Sequence, residues 1–361
     1  MSLRRSVFSA LSWRMEARAA ALPAHAGQRV RQRFGRVLTF LRAHDCLPDI
    51  SQRAAILCFH GVVDRRCDQE VEREMLEVRA FRKLLCVLRR SFNVISLAQL
   101  VTCIQEQQSP PPRSIVLTFD DGYANNHAVA AEELQRCRMP WSAFLPAMLI
   151  ETGARQWIDD VRLLMHRGSR RRLALHWGKH ELSLDLTTRR GRHEAVHGIH
   201  QLCRYVPENV RRERLRELYG FYCEDEMQSL REAFPSFAPM TWDQARELKS
   251  AGVDVGSHAL THIALAPQAP ETIRCEVVTA RQLLQERIGD HSPHFSYPYG
   301  REASISEHTE AELVRAGHTC GLTLEQDAIH CTSADLLRLP RIIVSPLVGK
   351  VLFGLWQRFI R

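Results

Sequence analysis

Apolar and polar residues alternate along the chain with two periods, and each period predicts a different kind of element. Runs of strand-forming apolar residues, typical of buried parallel strands, lie at 54–63, 93–96, 114–119, 141–146, 320–324 and 339–344. Shorter strands are predicted around Val255 and Tyr297. Between the strands, apolar residues recur every three or four positions, which is typical of amphipathic helices. This order of strand, helix and strand indicates an α/β fold.

For two of the predicted helices, the sequence also predicts which residues lie on a particular face. The stretch 72–92 has helical spacing with basic residues on its outer face. The stretch 273–289 is also predicted to be one long helix. We expect its inner face to consist of Cys275, Val278, Leu283, Leu284 and Ile288.

The rhythm changes between about residues 151 and 239. Alternating segments at 173–176 and 181–186, on either side of Trp177-Gly178-Lys179, predict a hairpin. Two charged helices are expected after it, at 188–205 and 207–223. We interpret this region as an α+β cap inserted into the main domain. Its arginines are suited either to an anionic glycan or to an ordinary solvated helix surface.

The composition favours a folded, basic protein. Hydrophobic residues make up 45% and charged residues 25% of the 361 residues, which is enough for a proper core. The net charge is +8, but arginines are spread along the whole chain, so we expect a generally basic surface and no nucleic-acid partner. The eleven cysteines include no C-x-x-C pair and are odd in number, which indicates free thiols in a reducing compartment.

The two ends of the chain bear on its location. The first residues lead into no apolar run long enough for a signal peptide, and no later run approaches a membrane span. We therefore expect a protein that is cytoplasmic or peripheral to the inner membrane. Lys350 and Arg361 stand at the ends of a predicted terminal helix that would tolerate an anionic lipid face, so a peripheral membrane contact stays open.

The strand 114–119 leads directly into two adjacent carboxylates and a glycine, Asp120-Asp121-Gly122. Because side chains alternate along a strand, we expect the two acids to point in different directions, so that one can bind a cation while the other faces water or substrate. Gly122 allows a sharp turn. A solvated polar turn is the alternative, and it is the more common role of an isolated Asp-Asp-Gly.

A second polar segment follows the short strand around Val255. It carries His258 and His262, four residues apart and close enough to reach one ion. Such a pair is often accidental. Together with Asp121, however, the two histidines would provide one oxygen and two nitrogen ligands and leave room for water, as in catalytic zinc sites.

Three motifs, in the same order as in the family, resemble those of the polysaccharide deacetylases. They are Thr118-Phe119-Asp120-Asp121-Gly122-Tyr123, Ser257-His258-Ala259-Leu260-Thr261-His262 and Phe295-Ser296-Tyr297-Pro298-Tyr299-Gly300. The third has the form found in poly-N-acetylglucosamine deacetylases of exopolysaccharide operons. By this resemblance, Asp120 is the catalytic base, Asp121, His258 and His262 bind the metal, and Tyr299 offers its backbone N–H to the oxyanion.

The resemblance also implies the fold and the cofactor. The fold is a distorted (β/α) barrel of the NodB-homology type (carbohydrate esterase family 4), with fewer than eight regular strands and here with the inserted cap. We accordingly predict an N-terminal arm and helix (1–50), the first part of the barrel (51–150), the cap (151–239), the second part of the barrel (240–346) and a C-terminal amphipathic helix (347–361). The expected cofactor is a divalent metal, Zn²⁺ first and Co²⁺ or Ni²⁺ as alternatives.

The chain departs from the family pattern at two places. Ser296 stands where much of the family has an arginine that orients the base, and the last strand lacks the expected histidine. We hypothesise that Arg341 reaches Asp120 from another strand through two charge-assisted hydrogen bonds. His60, at the end of the first strand, is then the best candidate for the general acid. A structural salt bridge and a structural histidine are the alternatives.

These observations predict a metal-dependent hydrolase that removes N-acetyl groups from an N-acetylglucosamine-containing exopolysaccharide. An O-acetyl esterase acting on a glycan, or a catalytically weak glycan-binding homologue, is the alternative. The partner would be an acetylated polysaccharide or oligosaccharide. Exopolysaccharide deacetylases often act outside the cytoplasmic membrane, so the resemblance and the composition point to different compartments.

Overall fold

The structure is a computed structural model that describes residues 52–346 and Leu355. The predicted N-terminal arm and helix, and the predicted C-terminal helix apart from Leu355, lie outside the described residues. The strands of the described part, in chain order, are β1 (Arg53–Phe59), β2 (Val62–Val63), β3 (Leu76–Glu77), β4 (Asn93–Val94), β5 (Ser114–Phe119), β6 (Ser142–Leu145), β7 (Arg172–Trp177), β8 (His180–Asp185), β9 (Asp254–Ser257), β10 (His294–Ser296), β11 (Cys320–Leu322), β12 (Ile329–His330) and β13 (Arg341–Ile343).

Helices alternate with these strands. They are α1 (Val78–Ser91), α2 (Leu97–Gln105), α3 (Ala131–Cys137), α4 (Ala147–Thr152), α5 (Trp157–Arg167), α6 (Arg189–Cys203), α7 (Glu208–Tyr219), α8 (Glu224–Ala233), α9 (Trp242–Ser250), α10 (Pro270–Arg274), α11 (Ala280–Ile288) and α12 (Glu307–Arg315). A π-helical turn precedes α3 at Asn126–Ala130, and another joins α10 to α11 at Cys275–Thr279.

The main sheet curls into a distorted barrel. Its strands follow the order β11-β10-β9-β6-β5-β1, and β13 pairs with the free side of β1; all of these pairings are parallel. The two ends of the sheet meet at Leu339, whose N–H donates to Gly321 O at 2.9 Å and whose O accepts from Thr323 N at 2.8 Å. The predicted barrel with fewer than eight regular strands is therefore confirmed, and closure brings β13 beside β11.

Alternation along the strands separates two cores. On one face, Ile56, Val116, Phe144 and Leu322 pack together inside the barrel. On the other face, residues such as Leu57 pack against the surrounding helices. Because successive side chains point to opposite faces, the inward position after Val116 is Thr118 and the next is Asp120. The sheet itself therefore aims Asp120 at the interior of the barrel mouth.

The region between β6 and β9 has a core of its own. The predicted hairpin is confirmed as β7 and β8, and helices α5 to α8 pack around it through residues such as Trp157, Leu164, Ile199 and Leu218. The two predicted charged helices correspond to α6 and α7. Helices α5 and α8 were not predicted. The division of the chain into five parts stays a prediction.

Two details of the sequence-based prediction were wrong. The helix predicted from residue 72 begins at Val78, after the short strand β3. The long helix at 273–289 contains the π-helical turn, which inserts an extra residue and shifts the buried face. Cys275 is therefore exposed, and Val277 and Ala280 are buried instead.

Two further findings concern the cysteines and the helices. The ten cysteines among the described residues are all free thiols, as expected. Within the described part of the chain, none of the helices combines the length and the apolar character that a membrane span requires. The compartment and the peripheral membrane contact stay predictions.

Candidate active site and metal centre

The predicted catalytic residues meet at one end of the barrel. Asp120 directly follows β5, and His258 directly follows β9. These strands are parallel and lie on either side of β6, so their carboxyl ends share one edge of the sheet. The third motif begins in β10, the next strand along the sheet, and continues beyond its carboxyl end. All three motifs therefore reach the mouth of the barrel.

Asp120 is held by a fully buried arginine. Arg341 begins β13 opposite Ile56, and its side chain extends inside the barrel toward the mouth. Its Nη1 donates to Asp120 Oδ1 at 2.8 Å, and its Nη2 donates to Asp120 Oδ2 at 2.6 Å. Burial raises the pKa of Asp120, but Arg341 and His258 outweigh it and lower the pKa to about 2. Asp120 is thus an ionised carboxylate with fixed orientation.

Three neighbours complete this arrangement. The Ser296 hydroxyl donates to Asp120 Oδ2 at 3.1 Å and accepts from Arg341 Nη2 at 2.8 Å. Arg341 also donates from Nη1 to Thr118 Oγ1 at 3.2 Å and from Nε to the Thr323 carbonyl at 3.1 Å. Each nitrogen of the Arg341 guanidinium therefore has at least one hydrogen-bond acceptor, which a buried charge needs. Ser296 is small enough to leave room for Arg341 at the place where much of the family carries its arginine.

The second acid faces the two histidines. Asp121 Oδ1 lies 3.2 Å from His262 Nε2 and 3.6 Å from His258 Nε2. All three side chains are buried, and their potential ligand atoms lie within 4.8 Å of one another. Burial raises the pKa of Asp121, but its contacts with His258 and His262 lower it well below the usual value. The structure therefore brings the predicted metal-binding trio together.

The backbone is strained where these residues converge. Asp121, Ala259, His262 and Tyr299 have φ angles of 72°, 60°, 58° and 63°, in the left-handed region that non-glycine residues rarely adopt. Strain of this kind persists only where the surrounding structure enforces it, and it clusters at functional sites. The left-handed conformation of Asp121 turns its side chain toward the mouth of the barrel, whereas regular alternation along the strand would have turned it away.

The trio fits a tetrahedral divalent cation. Ligands at zinc distances of about 2.0–2.1 Å stand about 3.3 Å apart around a tetrahedral centre, close to the two separations from Asp121. His258 Nδ1 lies 2.7 Å from the Ser296 carbonyl, so Nδ1 carries a proton and Nε2 is the ring atom turned toward Asp121. Burial lowers the pKa of His258, but Asp120 and Asp121 outweigh it and raise the pKa, as expected for a ring held between two carboxylates. His262 Nδ1 has no hydrogen-bond partner among the described residues. Burial lowers the pKa of His262, which favours the neutral imidazole that a metal requires.

His60 reaches the same rim from β1. A ring nitrogen of His60, the Cys58 thiol and a carboxylate oxygen of Asp120 lie within 4.8 Å of one another. His60 is half-buried, whereas Cys58 and Asp120 are buried. The Cys58 thiol donates weakly to Asp120 Oδ2 at 3.5 Å, and burial raises its pKa well above the usual value. The thiol is therefore neutral, and His60 is the rim group with access to solvent. Its catalytic role stays a prediction.

Tyr299 joins the barrel mouth to the inserted region. Its ring lies 5.1 Å from the ring of His262, and its hydroxyl accepts from Trp157 Nε1 at 2.9 Å. The rings of His200 and Tyr205 lie 6.1 and 6.0 Å away. The oxyanion role of its backbone N–H stays a prediction.

Sequence reasoning assigned no contact in the site to three residues that make one. Cys58, Thr118 and Ser296 all touch Asp120 or Arg341. The alternation of strand side chains carried a usable signal, because Thr118 stands two residues before Asp120 and Cys58 stands two before His60. No such signal links Trp157 to Tyr299, since the two lie 142 residues apart.

Comparison with known proteins adds a family profile. A profile described as polysaccharide deacetylase matches residues 107–321, which is more than half of the chain. The chain is also 26% identical over 115 residues to YxkH of Bacillus subtilis (strain 168), which is described provisionally as a polysaccharide deacetylase. That match covers 32% of this chain and 40% of the length of YxkH.

Solved structures of low sequence identity share the fold. The Streptococcus pyogenes deacetylase PplD, solved in complex with acetate, aligns with a TM-score of 0.56 at 15% identity, over 85% of this chain and 98% of PplD. IcaB from Ammonifex degensii aligns with a TM-score of 0.55 at 17% identity, over 86% of this chain and 98% of IcaB. The arrangement of strands and helices described above is therefore shared with both.

Proposed function

The chain belongs to the polysaccharide deacetylase family, and from this premise we propose that it is a metal-dependent enzyme removing N-acetyl groups from an exopolysaccharide that contains N-acetylglucosamine. The observation that supports this best is the juxtaposition of two acids with different partners. Asp120 is bound by Arg341, and Asp121 faces His258 and His262. One acid is thus suited to proton transfer and the other to binding a cation.

Asp120 would act as the general base. In amide hydrolysis, water adds to the acetyl carbon, and the base takes the proton that the water loses. Arg341 keeps Asp120 ionised and directs its oxygens, so the carboxylate is in its proton-free form at neutral pH and has a fixed orientation. Because Asp120 and Arg341 are both buried, no bulk water competes for their contact.

Asp121, His258 and His262 would hold the cation. A divalent ion bound there would polarise the acetyl carbonyl and lower the pKa of the attacking water. We propose Zn²⁺, with Co²⁺ or Ni²⁺ as substitutes, because two imidazoles and one carboxylate suit these ions.

The remaining steps concern the charge on oxygen and the leaving nitrogen. The backbone N–H of Tyr299 would donate to the oxyanion of the tetrahedral intermediate. His60 would then donate a proton to the sugar nitrogen as the carbon–nitrogen bond breaks, which releases acetate and a free amine. His60 stands close to Asp120 at the half-buried rim, where a sugar amide could approach both groups.

Two observations support the proposed substrate class, namely the third motif and the aromatic residues beside the mouth of the barrel. Phe295-Ser296-Tyr297-Pro298-Tyr299-Gly300 has the form seen in poly-N-acetylglucosamine deacetylases of exopolysaccharide operons. Tyr205 and Tyr299 stand partly exposed beside the mouth, where aromatic rings can contact sugar rings.

The test is acetate release from N-acetylglucosamine oligomers. We expect release by the purified protein, loss after treatment with a chelator, and recovery with zinc or cobalt. Asp120→Asn should lower kcat by about 10²–10⁴-fold, because it removes the base but keeps the shape. Two results would contradict the proposal: release that survives complete removal of metal, or release only from O-acetylated glycans. The second would favour the esterase alternative, and binding without release would favour a glycan-binding protein.

A further inference from the structure

The first turn of helix α5, in the inserted region, touches two catalytic loops at once. Trp157 Nε1 donates to the hydroxyl of Tyr299 in the third motif at 2.9 Å. In the same turn, two residues later, Asp159 Oδ2 accepts from the hydroxyl of Tyr123 at 2.7 Å. Tyr123 stands two residues after Asp121. The first and third motifs are thus connected through one helical turn outside both.

The two residues of α5 that make these contacts, Trp157 and Asp159, are themselves held in place by their neighbours. Trp157 is buried in the core of the inserted region, and Arg211 lies over its ring at 5.7 Å. Asp159 is completely buried and also accepts from Arg162 Nη1 at 3.1 Å. Side chains held in this way have few alternative rotamers, so the groups that they contact are fixed as well.

Tyr299 needs such support. Its φ of 63° is a strained conformation for a tyrosine, and strain persists only where contacts enforce it. Its ring packs against the core of the inserted region and not against the barrel core. If that packing and the bond from Trp157 were lost, the backbone at Tyr299 could relax and its N–H would turn away from the oxyanion.

We propose that Trp157 is a positioning residue for catalysis, which holds Tyr299 in the conformation that aims its backbone N–H at the oxyanion. The hydrogen bond from Tyr123 to Asp159 ties the same helical turn to the first motif. This inference rests on the proposed function. It gives the inserted region a part in the chemistry, and it differs from sugar stacking by Trp157, which would act on substrate affinity.

A double-mutant cycle on the hydrogen bond tests the proposal. Trp157→Phe and Tyr299→Phe each remove one partner and keep an aromatic ring. We expect each to lower kcat on N-acetylglucosamine oligomers about tenfold with KM within twofold, since a small misplacement of an oxyanion donor acts on the transition state. The double variant should lose no more than Tyr299→Phe alone, because the bond between the two residues is already broken there, together with the contact of the Tyr299 hydroxyl with Arg211.

The matched control is Trp242→Phe. Trp242 Nε1 also donates to a side chain, Glu151 Oε2 at 2.7 Å, but on the exposed side of α9. We expect its kcat to stay within twofold of wild type. Thermal midpoints and zinc affinity are measured for every variant, and the assays are run well below the midpoints, so that loss of fold or of metal is separated from loss of positioning.

The possible outcomes separate the two proposals. If the wild type releases acetate and Trp157→Phe keeps its kcat within twofold, the positioning role is wrong and the proposed function stands. A rise in KM with kcat unchanged would likewise reject positioning in favour of sugar stacking, and independent, multiplying losses in the double variant would also reject it. If the wild type releases no acetate from oligomers or from 4-nitrophenyl acetate, the proposed function fails and the positioning role fails with it.

Discussion

The two ends of the barrel carry similar side chains in different arrangements. The carboxyl end holds two acids, two histidines and an arginine, which are Asp120, Asp121, His258, His262 and Arg341. The amino end holds one acid, two histidines and two serines, which are Ser142, Asp254, Ser292, His294 and His318. Composition alone would therefore not tell which end is the site.

At the amino end Ser142, Asp254, Ser292 and His294 bind one another, and His318 Nε2 is the one ring nitrogen of these two histidines that lacks both a partner and solvent among the described residues. His294 Nδ1 lies 2.8 Å from Ser292 Oγ and 3.2 Å from Asp254 Oδ2, and Ser142 Oγ donates to Asp254 at 3.0 Å. The ring of His318 reaches the Pro293 carbonyl at 3.2 Å. None of the residues named here at this end has a positive φ.

At the carboxyl end, by contrast, donors and acceptors converge on a shared space. Asp121, His258 and His262 direct their free ligand atoms toward one another, and the backbone there is strained. A network whose members complete one another stabilises the fold, whereas strained convergence is costly unless something binds. The comparison teaches that geometry, and not the kinds of residues, distinguishes the site. It also agrees with the rule that barrel chemistry lies at the carboxyl ends of the strands.

Removing Arg341 should have the largest effect of the variants that test this contrast. In Arg341→Ala, Asp120 loses both charge-assisted bonds and becomes an unpaired buried charge. We expect kcat to fall about 10²–10³-fold, and the free energy of unfolding to fall by about 3–5 kcal/mol. Both are measured, the first by acetate release and the second by denaturant titration.

The matched control is Arg338→Ala, three residues away. Arg338 pairs with Glu310 on the surface, and exposed pairs contribute at most about 1 kcal/mol. Arg341→Lys should recover part of the stability but little of the rate, because an ammonium cannot bind both carboxylate oxygens in parallel. Near-normal turnover in Arg341→Ala would make the pair purely structural, and the mouth would then resemble the amino end.

His60 should have the next largest effect. We expect His60→Ala to lower kcat on the amide about 10–10²-fold, because the leaving nitrogen must be protonated. On 4-nitrophenyl acetate, whose leaving group needs no proton, the loss should be within about threefold. The ratio of the two rates is the measurement, and His127→Ala, which loses an exposed contact with Glu247, is the control. Equal losses on both substrates would argue against a general acid.

Much of the site could be predicted because its chemistry is local in sequence. Each motif begins in the last residues of a strand, so alternation and the carboxyl-end rule place Asp120 and His258 at one edge. The contact of Arg341 with Asp120 could be hypothesised because the usual arginine is missing at Ser296. The contact of helix α5 with two of the motifs could not be predicted from the sequence. Its hydrogen bonds to Tyr299 and Tyr123 join residues that lie far apart in the chain.

The wrong details have local physical causes. The buried face of the helix after Pro270 was misplaced because a π-helical turn changes the phase of the side chains, and nothing in the spacing of apolar residues reveals it. The helix predicted from residue 72 starts late because Leu76 and Glu77 pair with β2 as the short strand β3. In both cases tertiary contacts override the regular period of an isolated element.

The smallest effect on activity is expected from His318, at the amino end. Burial lowers the pKa of His318 to about 3, whereas an unfolded histidine titrates near 6.5. The unfolded state therefore binds more protons than the folded state between these two values. The part of the stability that depends on a neutral His318 is complete above pH 6.5 and is lost as the pH falls toward 3.

His318→Phe keeps the ring contact with Phe295 and removes the titrating group. We expect the kcat of this variant to be unchanged at neutral pH. Between pH 7 and pH 4, its free energy of unfolding should fall less than that of wild type, with a difference on the order of 2–3 kcal/mol. Denaturant titrations at both pH values measure this difference. A parallel loss in the two proteins would show that His318 does not contribute to acid sensitivity, and a lower kcat would mean that the two ends of the barrel are coupled.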